Sequence, residues 1–443
     1  MADFRPFWGW RYHPSKALFK QVIAPPYDVI SPEEQTALYE RSPYNCVRLI
    51  LNRIEKTDTE AENRYTRARQ CFESWKKEGV LVREEKPAFY LYHQRFTDPA
   101  RGKDFERTAI FGVIQLESFE KGGVVPHERT LAKPCEDRRR LLEATGTNFS
   151  PVFGLFEDHE GFFAEGKKYW FKARPMAEAQ DEQKVHHRVW ALTEPDATEK
   201  IRKAIGRSKI YIADGHHRYQ TALNYAQAQR KRLKAGEETQ LPSDFALMAL
   251  VEFQDPGLVI YPTHRLIRRS ALLPSGGEEN LLEPLRRFFS VEPSDFSSLE
   301  KETLASRDSA PLALGLLLGE RAFRLTLKDP AGAQALMPPG KADAWYALDV
   351  SLVSYLILAK LWNIPEKEWE GLIEYTHATR DVCQAMYHAR EHAAAFLLKP
   401  PGVGILKKMG EARELMPQKS TYFYPKLASG IVFYEHRSSM LLK

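Results

Sequence analysis

Asp214-Gly215-His216-His217-Arg218 puts a carboxylate, a residue with no side chain, two imidazoles and a guanidinium at five successive positions. The β-branched and aromatic residues Ile210, Tyr211 and Ile212 run into this segment, and Tyr219, Ala222, Leu223 and Ala226 follow it at i, i+3, i+4 and i+7. The stretch therefore reads as a strand, an abrupt turn and a helix whose first turn is cationic. The first N–H groups of such a helix have no intrahelical partner and its dipole adds partial positive charge, so a phosphate is attracted before any side chain acts. Gly215 permits close backbone approach, and Arg218 has the forked geometry to clamp two phosphate oxygens. The plainer alternative is a solvated turn. Paired histidines also suggest a metal, but neighbours on a helix point about 100° apart and no further ligands stand at suitable spacing nearby. Phosphate ranks above metal. The phosphate-binding candidates are Gly215, His216, His217 and Arg218. Asp214 is either a helix cap or the group that holds magnesium or handles a proton.

Further blocks carry a family resemblance. They are Ala24-Pro25-Pro26-Tyr27-Asp28-Val29-Ile30-Ser31, then Pro126-His127-Glu128-Arg129-Thr130 with Asp137-Arg138, and Asn148-Phe149-Ser150-Pro151. Beyond the Asp214 motif come Asp255-Pro256-Gly257-Leu258, Pro262-Thr263-His264-Arg265 and the run from Met416 to Lys426. Nearly end to end, the chain is similar to the uncharacterised bacterial and archaeal family called domain of unknown function 1015. The segment at Asp214 resembles the strand-loop-helix signature of the ParB and sulfiredoxin superfamily, which holds nucleotide phosphates. Sulfiredoxins look like Gly-Cys-His-Arg there, and His216 stands at the position of their catalytic cysteine, so sulfinic acid reduction by that route is not expected. ParB proteins look like Gly-Glu-Arg-Arg, from which His216 and His217 depart. Free serine kinases are similar to Asp-Gly-His-X-Arg, matched by Asp214, Gly215, His216 and Arg218.

That resemblance implies a nucleotide-binding phosphotransferase. It would move a phosphoryl group from ADP or ATP, with Mg2+, to a small hydroxyl compound such as free serine. The alternatives are a ParB-like nucleotide-dependent regulatory module acting through a protein or DNA partner, and a nucleotide or phosphoester hydrolase. Phosphoryl transfer needs clamps, usually a divalent cation, and a group to manage the acceptor's proton. Beside Asp214, the carboxylates placed for that task are Glu128, in a Pro-bounded turn, and Asp28, in the rigid Pro25-Pro26 turn. Lys419 is a further candidate for an anionic ligand, as are Lys426 and His264-Arg265, each against the alternative of a structural salt bridge or a surface position. Lys419-Ser420-Thr421 is not the end of a P-loop, because no Gly-X-X-X-X-Gly precedes it.

At 443 residues the chain exceeds one ordinary core, and 43% hydrophobic with 28% charged residues is the balance of a folded protein. The net charge of +5 is mild, and the clusters Arg138-Arg139-Arg140 and Arg230-Lys231-Arg232 read as solvated helix faces, so nucleic acid is not an expected partner. The run Leu352 to Leu358 is too short to span a bilayer, and the N-terminus lacks the layout of a secretion signal. Four scattered cysteines fit reduced thiols, so a cytoplasmic location without membrane contact is expected, with a small-molecule substrate and a homodimer left open.

The fold class expected is mixed α/β, with a ParB/sulfiredoxin-like nucleotide unit embedded in a larger chain of two or three parts. The divisions drawn are 1–175, 176–270 and 271–443. Phe89 to Phe96 and Thr108 to Leu116 read as a hairpin, as do Leu312 to Leu318 and Ala322 to Leu327. Arg188 to Leu192, the helix Asp196 to Ile205 and the strand Lys209 to Ala213 read as a β-α-β unit feeding the phosphate turn. Phe245 to Phe253 and Gly257 to Leu266 read as central strands, and Val350 to Leu361 and Asp381 to Phe396 as helices.

Overall fold

The computed structural model describes residues 2–130, 132–233, 240–269, 277–304, 313–389 and 391–436. They form two compact units, one made of 1–126, 130–258 and 425–443 and the other of 127–129 and 259–424. The sequence reading, with divisions at 175 and 270, drew a different partition. Both units are mixed α/β, as expected.

In the first unit the strands of the main sheet are β1 (Phe4–Arg5), β2 (Phe89–Asp98), β3 (Lys103–Gln115), β4 (Val124–Val125), β5 (Val152–Phe156), β6 (Ala177–Gln180), β7 (His186–Leu192), β8 (Ile210–Asp214) and β9 (Phe245–Glu252). Their order is β4-β8-β5-β9-β3-β2-β7-β6, with β1 on β3. The hairpin β2–β3 forms as its alternation predicts, pairing Tyr90 with Phe111 through Asp98 with Lys103. Seven of the eight residues of β9 are buried, which explains its unbroken apolar run. Ile210, Ile212, Ala246, Met248 and Leu250 recur with period two and share a core with Ile201, Ile205, Tyr219 and Ala222 of the covering helices.

One expectation is corrected here. Strand β8 does not neighbour β7: it lies antiparallel to β5 and parallel to β4, while β7 pairs with β2 and β6. Adjacency in sequence gave the β-α-β reading, but the helix between them, Pro195–Gly206, leads across the sheet rather than to the next strand.

In the second unit the strands are β10 (Val259–Tyr261), β11 (His264–Arg268), β12 (Phe289–Ser294), β13 (Ala313–Leu318), β14 (Arg321–Leu327), β15 (Ile373–Thr376), β16 (His392–Leu397) and β17 (Tyr422–Tyr424). Six form a sheet ordered β12-β14-β13-β16-β11-β15, and β10 pairs with β17 alone. Gly257 to Leu266 is therefore two strands in two sheets. Pro262 has no N–H to donate to a ladder, and the chain changes partner there. Asp381 to Phe396 likewise divides into helix, Thr379–Ala389 in two successive segments, and strand β16. Ala394 and Phe396 pack into one buried cluster and Ala395 and Leu397 into another, a two-faced burial that overrides the helical period. All four cysteines are free thiols. Among the described residues no helix is long and apolar enough to cross a membrane.

Candidate anion site at the Gly215 turn

Strand β8 delivers its last residue out of register. Ile212 pairs with Gly154 but Asp214 pairs with Phe153, so Ala213 is an extra residue that bulges the strand and re-aims Asp214. Gly215 follows at φ +89°, ψ 29°, a left-handed conformation that a side chain would strain. A Cβ there would also lie 2.9 Å from the Cζ and Nε of Arg218, so the guanidinium is folded back over the turn. The helix His216–Arg230 is anchored by Tyr219, whose hydroxyl donates to the Glu117 carbonyl at 3.0 Å and whose ring stacks on Phe119. His216 is buried and His217 half-buried in its first turn.

Asp214 does not cap the helix: Gly215 is the cap residue and has no side chain to do so. Instead its Oδ2 accepts from Lys426 Nζ at 2.8 Å and its Oδ1 from Arg218 Nη2 at 3.3 Å. Burial works to raise the pKa of this carboxyl, but the charges of Lys426 and Arg218 outweigh it and hold Asp214 well below the usual carboxylate range. Arg218 is fixed on its other side by a hydrogen bond from Nη1 to the Pro151 carbonyl. The hairpin places Lys426 through its backbone, because Gln94 Nε2 donates to the Lys426 carbonyl at 3.2 Å and buried Arg107 donates to both Gln94 Oε1 and the Pro425 carbonyl. Burial brings the Arg107 pKa down to about 10.

Tyr27 reaches the same place. The Arg138 Cζ lies 3.7 Å from the centroid of the Tyr27 ring. Burial pushes the Tyr27 hydroxyl up to about 12, moderated by the charges of Arg138 and Arg218, with Asp28 and Asp214 acting the other way. Asp28 itself is exposed. Arg138 corrects the reading of its cluster as a solvated face. Its neighbour Arg139 is exposed and paired with Glu136 and Glu143, as a solvated face requires. Arg138, by contrast, is 7% exposed, with Nη1 on the Ile50 carbonyl at 2.8 Å and Nε on Asp137 Oδ2 at 2.8 Å. Three consecutive arginines give no sign of which one points inward; the block Asp137-Arg138 was the available signal.

Glu128 and Lys419 belong to the second unit. Glu128 Oε1 accepts from the Ser420 N–H at 3.2 Å, while His127 holds the same segment through Met416 N at 2.7 Å and Thr421 Oγ1 at 3.1 Å. Lys419 is exposed and adopts φ +56°. That turn is held by Arg265, 2% exposed, whose Nη2 donates to the carbonyls of Gln418 at 3.2 Å and Lys419 at 3.0 Å. Arg265 thus serves loop structure with carbonyl partners. His264 beside it accepts from Leu398 N through Nδ1 at 3.2 Å, and burial pushes its pKa down to about 3.

Among the described residues no group of three or more His, Cys, Asp or Glu side chains gathers to hold a metal ion. At the Gly215 turn one carboxylate faces two cations, a donor set that suits an anion.

The chain belongs to the family described as "Protein of unknown function (DUF1015)", whose model matches residues 4–351. No curated protein matches it. Among solved structures, a free serine kinase in complex with AMP is similar at 15% identity and a TM-score of 0.33, over 68% of this chain and 83% of that one. A conserved hypothetical protein from Pyrococcus furiosus is similar at 15% identity and a TM-score of 0.31, over 69% and 90%. SbnI with a C-terminal truncation, from Staphylococcus aureus, is similar at 10% identity and a TM-score of 0.32, over 69% and 82%. Such TM-scores are too low to equate positions.

Proposed function

We propose that this chain binds a nucleotide at the Gly215 turn and transfers its terminal phosphoryl group to a small hydroxyl compound, free serine being the first to test. The observation that carries the reading is the arrangement Lys426–Asp214–Arg218 across a helix start. Two cations share one carboxylate beside the start of a helix, whose dipole adds partial positive charge, and that arrangement favours a phosphate. The N–H groups of the helix's first turn, Arg218 and Lys426 would hold the phosphates of ADP or ATP, and Mg2+ would enter with them and neutralise developing charge. In the reaction the acceptor oxygen bonds to the terminal phosphorus and the bond to the bridging oxygen breaks. The nucleotide leaves one phosphate shorter. The hydroxyl proton passes to a carboxylate, for which Asp28 is the candidate and Asp214, tied to two cations, is the weaker base.

The test is turnover of the purified chain with Mg2+, ADP or ATP and a panel of hydroxy amino acids, beside Arg218→Ala. Acceptor-dependent formation of a phosphorylated product, lost in the variant, is the expected result. Tight nucleotide binding with no transfer to any acceptor would overturn the phosphotransferase reading, and release of inorganic phosphate without an acceptor would replace it with hydrolysis.

A further inference from the structure

A small cavity of about 50 Å³ opens beside Arg218, on a measure by which one enclosed water takes about 10–15 Å³. Its enclosed part is small, which suits a compact head group. Arg138 and Arg218 both line it, with Asn148, Ser150 and Thr221. These residues come from separate blocks of the chain, on the helix Ala132–Thr145, the segment before β5 and the helix His216–Arg230. Only folding brings them together.

Both guanidiniums are held before any ligand arrives. Arg138 lies against the Tyr27 ring and is fixed by Asp137 and the Ile50 carbonyl. Arg218 is fixed by Asp214 and the Pro151 carbonyl. These bonds use two of Arg218's five N–H donors and three of Arg138's, with Nε of Arg218 making none and not sealed from solvent. Two immobilised forks are a pre-organised receptor, because little side-chain entropy is left to lose on binding. The rest of the wall is mixed, apolar at Ile50, Leu141, Leu142 and Phe149 and hydroxylic at Ser150 and Thr221; Thr221 Oγ1 donates to the Cys135 carbonyl at 3.2 Å, and Ser150 Oγ lies 2.9 Å from Ser429 Oγ. The charges are also unbalanced. Arg138, Arg218 and Lys426 stand against Asp137 and Asp214, while Arg64 beside Asp137 and Asp28 beside Tyr27 cancel one another. The two guanidiniums on the cavity itself favour an anion there.

We infer that the Arg138–Arg218 cavity binds the carboxylate of a small organic acid. The identity of that acid as the phosphoryl acceptor rests on the phosphotransferase reading; the pocket itself does not. A carboxylate is planar and matches a guanidinium fork, and its three heavy atoms fit the volume. Arg218 then serves two anions, with one edge at the Gly215 turn and another at the cavity, and so links the acceptor to the phosphates.

Equilibrium dialysis of the full chain with labelled glycolate and L-serine, each beside its amide, glycolamide and L-serinamide, tests the site. Carboxylates are expected to bind about 10- to 100-fold more tightly than the amides, the range for charged against neutral hydrogen bonding. Arg138→Gln should abolish that preference while leaving the ADP dissociation constant within about twofold. Thr221→Val, which removes one hydroxyl and keeps the shape, should weaken glycolate a few-fold, and it maintains the test if Arg138→Gln does not fold. Equal binding of acid and amide, or an Arg138→Gln chain that retains the preference, overturns the assignment. Carboxylate binding without phosphoryl transfer would leave the pocket standing and remove the phosphotransferase reading. Transfer with equal efficiency to acids and amides would do the reverse.

Discussion

Replacing Lys426 by Met should expose how tightly the Gly215 turn depends on charge. The side chains of Asp214 and Lys426 are 17% and 15% exposed and lie 2.8 Å apart. Removing one partner of a fully buried pair costs about 3–5 kcal/mol, because the remaining charge is stranded. Arg218 still reaches Asp214 at 3.3 Å and solvent touches both groups, so the expected loss is smaller, about 2–3 kcal/mol. Asp214→Asn should cost a similar amount, since it leaves two cations facing each other. The double variant should lose about 3 kcal/mol rather than the sum, a coupling of about 2 kcal/mol. Urea unfolding at pH 7 followed by far-ultraviolet circular dichroism measures all four corners of this cycle. The pH dependence provides a second handle. Asp214 is held below its ordinary range, so its contribution is present above the unfolded value near 3.9 and is lost as the pH falls. The deficit of Lys426→Met should therefore begin to shrink below about pH 4 and go on shrinking toward the lower pH at which the native carboxyl takes up its proton. Costs that add within about 0.5 kcal/mol, or a deficit unchanged at pH 3, would refute the pairing.

Gly215→Ala should destabilise by about 1–2 kcal/mol from the left-handed backbone alone and displace Arg218, with ADP affinity by calorimetry falling at least about 10-fold. Glu128→Gln keeps an acceptor for Ser420 N–H, so it should leave unfolding almost unchanged. A shift of more than about 1 kcal/mol in urea unfolding would refute that exchange of acceptors. His264, held neutral down to about pH 3, makes the unfolded chain the better proton binder between about pH 6.5 and 3. Stability should accordingly fall with pH across that window by up to about 1.4 kcal/mol per unit, and His264→Asn, which retains an acceptor for Leu398 N–H, should flatten the profile of urea midpoints.

Local pattern was enough for elements whose burial is one-sided or complete. The alternation of β2 and β3, the apolar run of β9 and the helical spacing after Gly215 each state the environment of their own residues. Pattern misled where two environments lie on one continuous apolar stretch. Between Val259 and Arg268 it does not say that Pro262 sends the halves to different sheets, and in Ala393-Ala394-Ala395 it does not separate a buried strand from a helix.

The candidate site divides in the same way. Residue type and order alone were enough for the strand, turn and helix, because a strand ending in Asp214-Gly215 and a helix opening on His216-His217-Arg218 need only local backbone geometry. They also named Asp214 as a charged group of consequence. Whether it caps, binds metal or pairs with cations depends on what lies opposite, and the opposing group, Lys426, is more than 200 residues away in the chain and was singled out less strongly than Lys419. Arg138 was marked only by the block Asp137-Arg138, and its inward direction was settled when the fold buried it against Tyr27. A charge's role is set by its partners and its access to water, and those are properties of the packed chain rather than of any segment of it.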